Sequence, residues 1–371
     1  MKVLIIGAGA AGITAGHLLA ERGVDFEILE ASSTHGGRVR KVDDFADFPI
    51  DIGGEWIHQW IRARPAAFAA LLKGADPRFR TFVDDPATIS TWKGGRLRQR
   101  NWIRHIPMPT DLKFADSTWF DAIDTLATPA VLDRTRFSNV VASIDYDGTN
   151  VRAVTEHGST HVADKVLVTI PISMLQREAI SFTPPLPTDK VAEIRKEQMP
   201  GGLKVFIEFT ERFYPDFLHV GGLIRNTGLS ETSYYNAAYG KASKRHVLGF
   251  FAQGRRAERY VANTTDEALI RYVLAELDEM FAGKASRHYV KHAVQDWTRE
   301  PYIMGSYSQR KANAKKLAEP VGDRVYFAGE AMNPNSKTIA VHGACESAYS
   351  AVDAMLDVET RTSPFSFDGP R

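Results

Sequence analysis

The chain has 371 residues, and 46 Lys+Arg against 45 Asp+Glu leave a formal charge of +1, so no basic balance argues for a nucleic-acid partner. Hydrophobic residues at 44% and charged residues at 25% exclude wholesale disorder, and the length argues for two or three domains. The single cysteine, Cys345, excludes an intramolecular disulfide and any cysteine-based zinc or iron–sulfur site.

The chain opens on Met1-Lys2 and a short apolar run, Val3-Leu4-Ile5-Ile6, that leads straight into glycines. A secretory leader needs a longer apolar stretch and a cleavage site. No apolar run approaches the roughly 20 residues that span a bilayer. With one thiol and no disulfide, the expectation is a soluble, cytoplasmic protein.

Residues 3–6 predict a strand buried on both faces, as in a parallel sheet. Gly7-Ala8-Gly9-Ala10-Ala11-Gly12 follows, then a predicted helix over 13–22 with Ile13, Leu18 and Leu19 on its apolar side and Gly23 as its stop. A second predicted strand, Phe26-Glu27-Ile28-Leu29, ends in Glu30. This order suits a dinucleotide. Gly7 permits the tight turn, Gly9 lets a pyrophosphate approach the backbone, and Gly12 lets helix and strand pack closely. The helix N-terminus offers unpaired N–H groups to the phosphates. Glu30 stands where a carboxylate accepts both ribose hydroxyls, and its charge argues against a 2′-phosphate, leaving FAD or NAD.

Gly36-Gly37-Arg38 comes next and puts a guanidinium within reach of the same pyrophosphate, whose oxygens its planar fork meets two at a time. Asp51-Ile52-Gly53-Gly54-Glu55-Trp56-Ile57-His58 brings a second glycine pair beside an aromatic. Lys93-Gly94-Gly95-Arg96-Leu97-Arg98-Gln99-Arg100 reads as a solvated basic loop. Asp145-Tyr146-Asp147-Gly148-Thr149 predicts a hairpin turn, and Pro184-Pro185-Leu186-Pro187 a rigid crossover. Leu203 to Phe209 alternates, so Lys204, Phe206 and Glu208 share one face of a strand. Arg324 to Glu330 predicts a strand and turn, followed by a small-residue helix that runs to about Met355. The histidines make no metal site: His157 and His161 flank a Gly-Ser turn, and His288 and His292 lie in a stretch that alternates like a strand.

Taken in order, these segments resemble the flavin-containing amine oxidases: monoamine oxidases, polyamine oxidases and lysine-specific histone demethylases. The shared motifs are G-x-G-x-x-G, E-A-x-x-x-x-G-G-R and D-x-G-x-x-W-x-H. Then come Leu167-Val168-Thr169-Ile170-Pro171, Pro184-Pro185-Leu186-Pro187, Gly202-Leu203-Lys204-Val205, residues 297–308, and residues 327–344. The likeness covers roughly residues 1–58 and 137–356.

The resemblance implies an α/β fold: a Rossmann-like FAD-binding domain from residues 1–58, 131–176 and 320–357, and a mixed-sheet substrate domain from 59–130 and 177–319. Residues 358–371 would be a frayed tail. It also implies non-covalent FAD, because Ser306 stands where a cysteine carries the flavin in mitochondrial monoamine oxidases. Cys345 is expected to fill a small buried space. Gly7, Gly9, Gly12, Glu30, Gly37 and Arg38 would hold the ADP half, and the Val141 backbone the adenine. Gly53, Gly54, Trp297, Gly329, Glu330, Ala340 and Val341 would line the rest of the cofactor.

Lys204 would hold a water against flavin N5 as the catalytic residue. Tyr307, Trp297, Glu55 and Trp56 would line the substrate path, and His58 would be a structural histidine. Aromatic faces attract amines, and Tyr307 matches one wall of the usual two-aromatic cage, with Ala340 where the second would stand. The implied activity is oxidation of a small-molecule amine to an imine, with molecular oxygen reduced to hydrogen peroxide. The stretch after the Trp-x-His element is short for the family, so the cavity would be reduced, more open, or completed by a partner subunit in a homodimer. The same scaffold resembles desaturases, protoporphyrinogen-type oxidases and renalase-like dihydronicotinamide oxidases. These, and a non-catalytic flavoprotein, stay open as alternatives.

Overall fold

The computed structural model describes residues 1–58, 77–101, 111–221, 230–334 and 339–357. The expected tail, 358–371, and parts of the expected 59–130 segment lie outside these residues. A parallel sheet of five strands forms one side of the molecule, in the order Val325–Phe327, Lys165–Val168, Lys2–Ile6, Asp25–Leu29, Thr135–Arg136. Both of its faces are covered, which is why residues 3–6 carry no polar side chain. Val3 and Ile5 pack under the helices Ala10–Glu21 and Val341–Met355, with Ile13, Leu19, Ala348 and Val352. Leu4 and Ile6 pack on the other side against Val141, Ile144, Val151 and Ala153 of a four-stranded sheet.

The first helix starts three residues earlier than its apolar spacing predicts, at Ala10, with Gly9 as its N-cap. Small residues at 10–12 hide the start from any reading that waits for large apolar side chains. Gly23, at φ +66°, ends it as expected. The predicted turn after Asp145 joins the antiparallel strands Val141–Asp145 and Val151–Thr155.

A seven-stranded sheet builds the other side, in the order Tyr289–Asp296, Gly202–Phe209, His246–Gly254, Ser230–Asn236, Phe217–Val220, Ile89–Lys93, Arg96–Gln99. Its pairs are antiparallel except Phe217–Val220 with Ile89–Lys93. One face, with Leu203, Val205, Ile207, Tyr234 and Phe250, packs on the amphipathic helix Asp266–Phe281 through Leu269, Val273 and Leu277. The opposite face carries Lys204, Phe206, Tyr235 and Phe251, and every residue of Gly202–Phe209 is buried.

Two sequence expectations are corrected here. The basic run at 93–100 is a hairpin rather than a loop: Gly94 and Gly95, at φ +60° and +69°, turn Ile89–Lys93 into the exposed edge strand Arg96–Gln99. Positive φ at both turn residues matches the twist of the flanking strands. His288 closes the short helix Lys284–His288, while His292 lies in the strand Tyr289–Asp296, so the two are not on one strand.

Candidate active site

The glycine turn is set by backbone crowding at two positions. Gly7 has φ +104°, and a Cβ on Gly12 would stand 1.9 Å from the Gly7 carbonyl oxygen. Gly9 differs, since a Cβ there would meet nothing nearer than the Gly36 oxygen at 4.0 Å. Its backbone borders space. Glu30, at the end of Asp25–Leu29, is buried, and its carboxylate accepts from the Ala8 amide at 2.5 Å and the Ser32 amide at 2.8 Å. It therefore braces the glycine turn, with each oxygen keeping acceptor capacity for a further donor. Asn139 donates from its backbone to the Glu30 carbonyl at 2.8 Å, which brings the segment before Val141 alongside. The Val141 side chain itself is buried in the core.

Gly37, Arg38, Gly53, Gly54, Gly329, Glu330 and Val341 converge from three distant stretches. A Cβ on Gly53 would lie 2.1 Å from the Arg38 carbonyl oxygen, and one on Gly54 would lie 2.8 Å from Val341 Cγ2. Arg38 Nη1 donates to Glu330 Oε1 at 2.8 Å and to the Ser306 carbonyl at 2.9 Å. Burial alone would raise the Glu330 carboxyl; Arg38 and the Ser308 amide bring it below the usual range. Ser308 Oγ is buried with no hydrogen-bond partner among the described residues, and Gly329, at φ +149°, has open space where a side chain would stand. Half-buried backbone at Gly9 and Gly329 that borders open space, with an orphaned hydroxyl beside Glu330, fits an extended dinucleotide such as FAD. Ala340, half-buried, is the N-cap of Val341–Met355.

Lys204 is buried, at 3% exposed, among groups that sequence spacing could not bring together. Its ammonium donates to Glu55 Oε2 at 2.7 Å and to the Asp51 carbonyl at 3.1 Å, and lies 5.0 Å from the Trp56 ring centroid. Tyr235 Oη donates to the same Glu55 oxygen at 2.5 Å. Lys113 Nζ lies 3.2 Å from Glu55 Oε1, 4.7 Å from the Trp56 centroid and 4.3 Å from the Tyr235 centroid. Trp56 Nε1 donates to Asp84 Oδ2 at 2.8 Å.

Burial would raise the Glu55 carboxyl, but Lys113 and Lys204 bring it down to about 2. Burial pulls Lys204 below the usual lysine value, with Glu55 opposing. Asp51, buried and beside Glu55, has its carboxyl pushed well up. Glu55 is thus the counter-ion of two buried lysines.

Phe251 pairs directly with Lys204 across the sheet, and its ring lies parallel to Tyr307, centroids 6.4 Å apart and planes 10° apart. Its centroid is 6.2 Å from Trp56. Phe251 therefore supplies a second aromatic face beside Tyr307, a role sequence reasoning sought at Ala340. Burial holds the Tyr307 phenol well above its ordinary value. Trp297 is buried, with the Arg40 guanidinium 5.2 Å over its ring and its amide bonded to the Gly202 carbonyl, so it shores up the Lys204 strand. His58 Nδ1 lies 3.1 Å from Asp111 Oδ1, and Cys345 is fully buried.

Sequence reasoning missed Lys113, Tyr235, Phe251 and Asp84. A lysine between the apolar residues Leu112 and Phe114 was the one available signal, because a buried lysine needs a carboxylate. Among the described residues there is no group of three or more His, Cys, Asp and Glu that could hold a metal, and no helix long and apolar enough to cross a membrane.

Comparison with known proteins follows the same lines. The profile of the family described as flavin containing amine oxidoreductase matches residues 121–356, and that of an NAD(P)-binding Rossmann-like domain matches residues 5–73. Lysine-specific histone demethylase 1B of Mus musculus is 30% identical over 207 residues, covering 53% of this chain and 25% of that protein. Lysine-specific histone demethylase 2 of Homo sapiens is 23% identical, covering 90% of this chain and 50% of that protein. The chain thus spans half or less of these demethylases. Polyamine oxidase 7 of Oryza sativa subsp. japonica is 23% identical, with 89% of both chains covered. In fold, the chain is similar to cyclohexylamine oxidase from Brevibacterium oxydans IH-35A, with a TM-score of 0.77 at 16% identity over 96% of this chain and 98% of that one. It is also similar to putrescine oxidase bound to putrescine, with a TM-score of 0.76 at 14% identity over 96% and 99%. The chain belongs to the flavin-containing amine oxidoreductase family.

Proposed function

We propose that the chain oxidises a C–N bond of a small amine, with Lys204 as the catalytic residue. The carrying observation is the buried Lys204 ammonium, set beside the rings of Trp56 and Phe206 and held by Glu55. Residues 1–58, 131–176 and 320–357 carry non-covalent FAD in this reading, and 59–130 and 177–319 present the substrate. FAD, which Gly9, Arg38 and Glu330 would hold in this reading, would supply the acceptor for a hydride from the amine α-carbon and for its onward transfer to oxygen as hydrogen peroxide; the imine left behind would hydrolyse.

The protein's part is to bind, orient and hold charge. Tyr307 and Phe251 offer parallel aromatic faces that favour an amine by stacking and cation–π attraction, about 0.5–2 kcal/mol each. Trp56 and Tyr235 exclude water from the Lys204 ammonium, which strengthens its field on any negative charge that develops nearby. Arg38 and Glu330 fix the backbone at Ser306 and Ser308, on either side of Tyr307. The polyamine, putrescine and cyclohexylamine oxidases among its relatives support small amines as the substrate class.

The test is a peroxide-release screen over primary amines, secondary amines, polyamines and amino acids, with anaerobic flavin bleaching followed in parallel. Peroxide released with an amine is the expected result. Bleaching by NADH with no amine response would overturn the reading in favour of a dihydronicotinamide oxidase. A purified protein that neither carries nor takes up FAD would overturn catalysis altogether.

A further inference from the structure

The two buried ammonium groups at Glu55 are not equivalent. Lys204 Nζ has one carboxylate oxygen, Glu55 Oε2 at 2.7 Å, and one carbonyl, that of Asp51 at 3.1 Å. Lys113 Nζ bridges two carboxylates, at 3.2 Å from Glu55 Oε1 and 3.5 Å from Asp84 Oδ2. Tyr235 Oη donates to the oxygen that Lys204 uses. Glu55 therefore gives one oxygen to Lys113 alone and divides the other between Lys204 and Tyr235. Two of the three positions on the Lys204 nitrogen are engaged as N–H donors among the described residues; the third, a lone pair when the group is neutral and an N–H when it is charged, is left for a guest.

The charged and titratable groups around Glu55, Lys204 and Lys113 come from several elements. Asp51 and Glu55 lie on the glycine-pair segment, Asp84 and Lys113 on neighbouring segments, and Tyr235 and Lys241 on and just after the strand Ser230–Asn236. On the Lys204 strand itself, Glu208 is taken up by Arg245 at 3.0 Å and Lys291 at 3.8 Å.

We propose that Lys113 is a positioning residue that acts through Glu55: by holding one oxygen of the shared carboxylate, it makes Lys204 the lysine of the pair that exchanges a proton with the substrate. In that exchange the neutral Lys204 Nζ lone pair accepts a proton from an incoming alkylammonium. The substrate nitrogen regains its lone pair and Lys204 becomes the ammonium that Glu55 holds. Lys113 keeps its own proton and serves as the fixed countercharge. The electrostatics run the same way. Burial opposes charge on both lysines, but Glu55 and Asp84 lift Lys113 above the ordinary value, whereas Lys204 stays below it, with Lys113 itself among the causes.

This rests on the reading that Lys204 faces the bound substrate, and the experiment separates the two. Holoenzyme labelled with 15N-lysine is titrated by NMR, with the Lys204 Nζ resonance assigned as the one absent from Lys204→Met. Lys113→Gln frees Glu55 for Lys204 and should raise the Lys204 midpoint by about one pH unit. Glu55→Gln should lower it by a similar amount, and Lys113→Arg should restore it. Since the neutral Lys204 is the acceptor, the acidic limb of kcat/KM should vanish in Lys204→Met and should move with the midpoint in each case. Should Lys113→Gln not fold, Lys113→Met, of similar reach, replaces it with the same expectation. An unmoved midpoint on loss of Lys113, or shifts of one sign in both neutral variants, overturns the proposal. The expected shifts in an enzyme whose flavin reduction ignores Lys204→Met would instead overturn the catalytic reading and leave the tuning network standing.

Discussion

Arg38 and Glu330, 292 positions apart in the chain, meet at 2.8 Å with the Ser306 carbonyl on the same guanidinium nitrogen. The pair ties the segment after the second parallel strand to the turn after the last one. It also fixes the backbone that carries Tyr307.

Breaking that pair should therefore cost both stability and cofactor. Arg38→Ala leaves the Glu330 charge buried and unpaired, which should destabilise by about 3 kcal/mol, with a smaller loss for the double variant Arg38→Met/Glu330→Met. Thermal melts with and without added FAD check this, and equal melting of wild type and Arg38→Ala would refute it.

Gly12→Ala and Gly9→Ala should separate folding from binding. A methyl on Gly12 strikes a carbonyl oxygen and should destabilise the apo-protein by about 3 kcal/mol. A methyl on Gly9 strikes nothing in the chain, so the apo-protein should melt as wild type while FAD affinity drops by about tenfold or more. Fluorescence titration of apo-protein with FAD reads the second effect. Unchanged affinity in Gly9→Ala would place the cofactor elsewhere.

Lys204→Met should slow flavin reduction or reoxidation by about tenfold or more. Stopped-flow traces that match wild type in both half-reactions would remove Lys204 from the chemistry.

Glu55 gives a pH dependence of definite sign. Its folded carboxyl, brought down to about 2, lies below its unfolded value, so the stability it contributes is full above the ordinary glutamate range and is lost as the pH falls toward 2. Glu55→Gln should remove that acid-limb dependence, measured by urea unfolding from neutral pH downward. A wild-type acid limb in the variant would mean that other carboxylates carry it.

Cys345, buried with its thiol pushed up to about 12, should ignore a disulfide reagent until the protein unfolds. Thiolate absorbance during a urea titration should rise with the unfolding transition. Reaction in native buffer would contradict the packing of Val341–Met355 on the first helix.

The elements most legible in sequence are those whose cause is local. Residues 3–6 announce a doubly buried strand because all four are apolar, and Gly7 and Gly12 announce a tight turn because only glycine suits those two positions. Lys204 was legible through its alternating strand and its motif. Lys113, Tyr235 and Phe251 were not, since nothing local marks a residue whose role is to meet Glu55, Trp56 or Tyr307 from another strand. The Gly94-Gly95 hairpin was missed for a different reason: its flanking charges read as a loop, although the positive φ that glycine allows is a hairpin signal in itself.

The order of the parallel sheet has a consequence for how the protein is made. Lys2–Ile6 and Asp25–Leu29 are made before the neighbouring strand Lys165–Val168, and Val325–Phe327 comes later still. The glycine turn proposed to hold the dinucleotide is therefore only half built until Glu330 and the helix Val341–Met355 are made. The nascent chain must therefore keep its apolar strand Lys2–Ile6 from pairing with the wrong edge until Lys165–Val168 has been made.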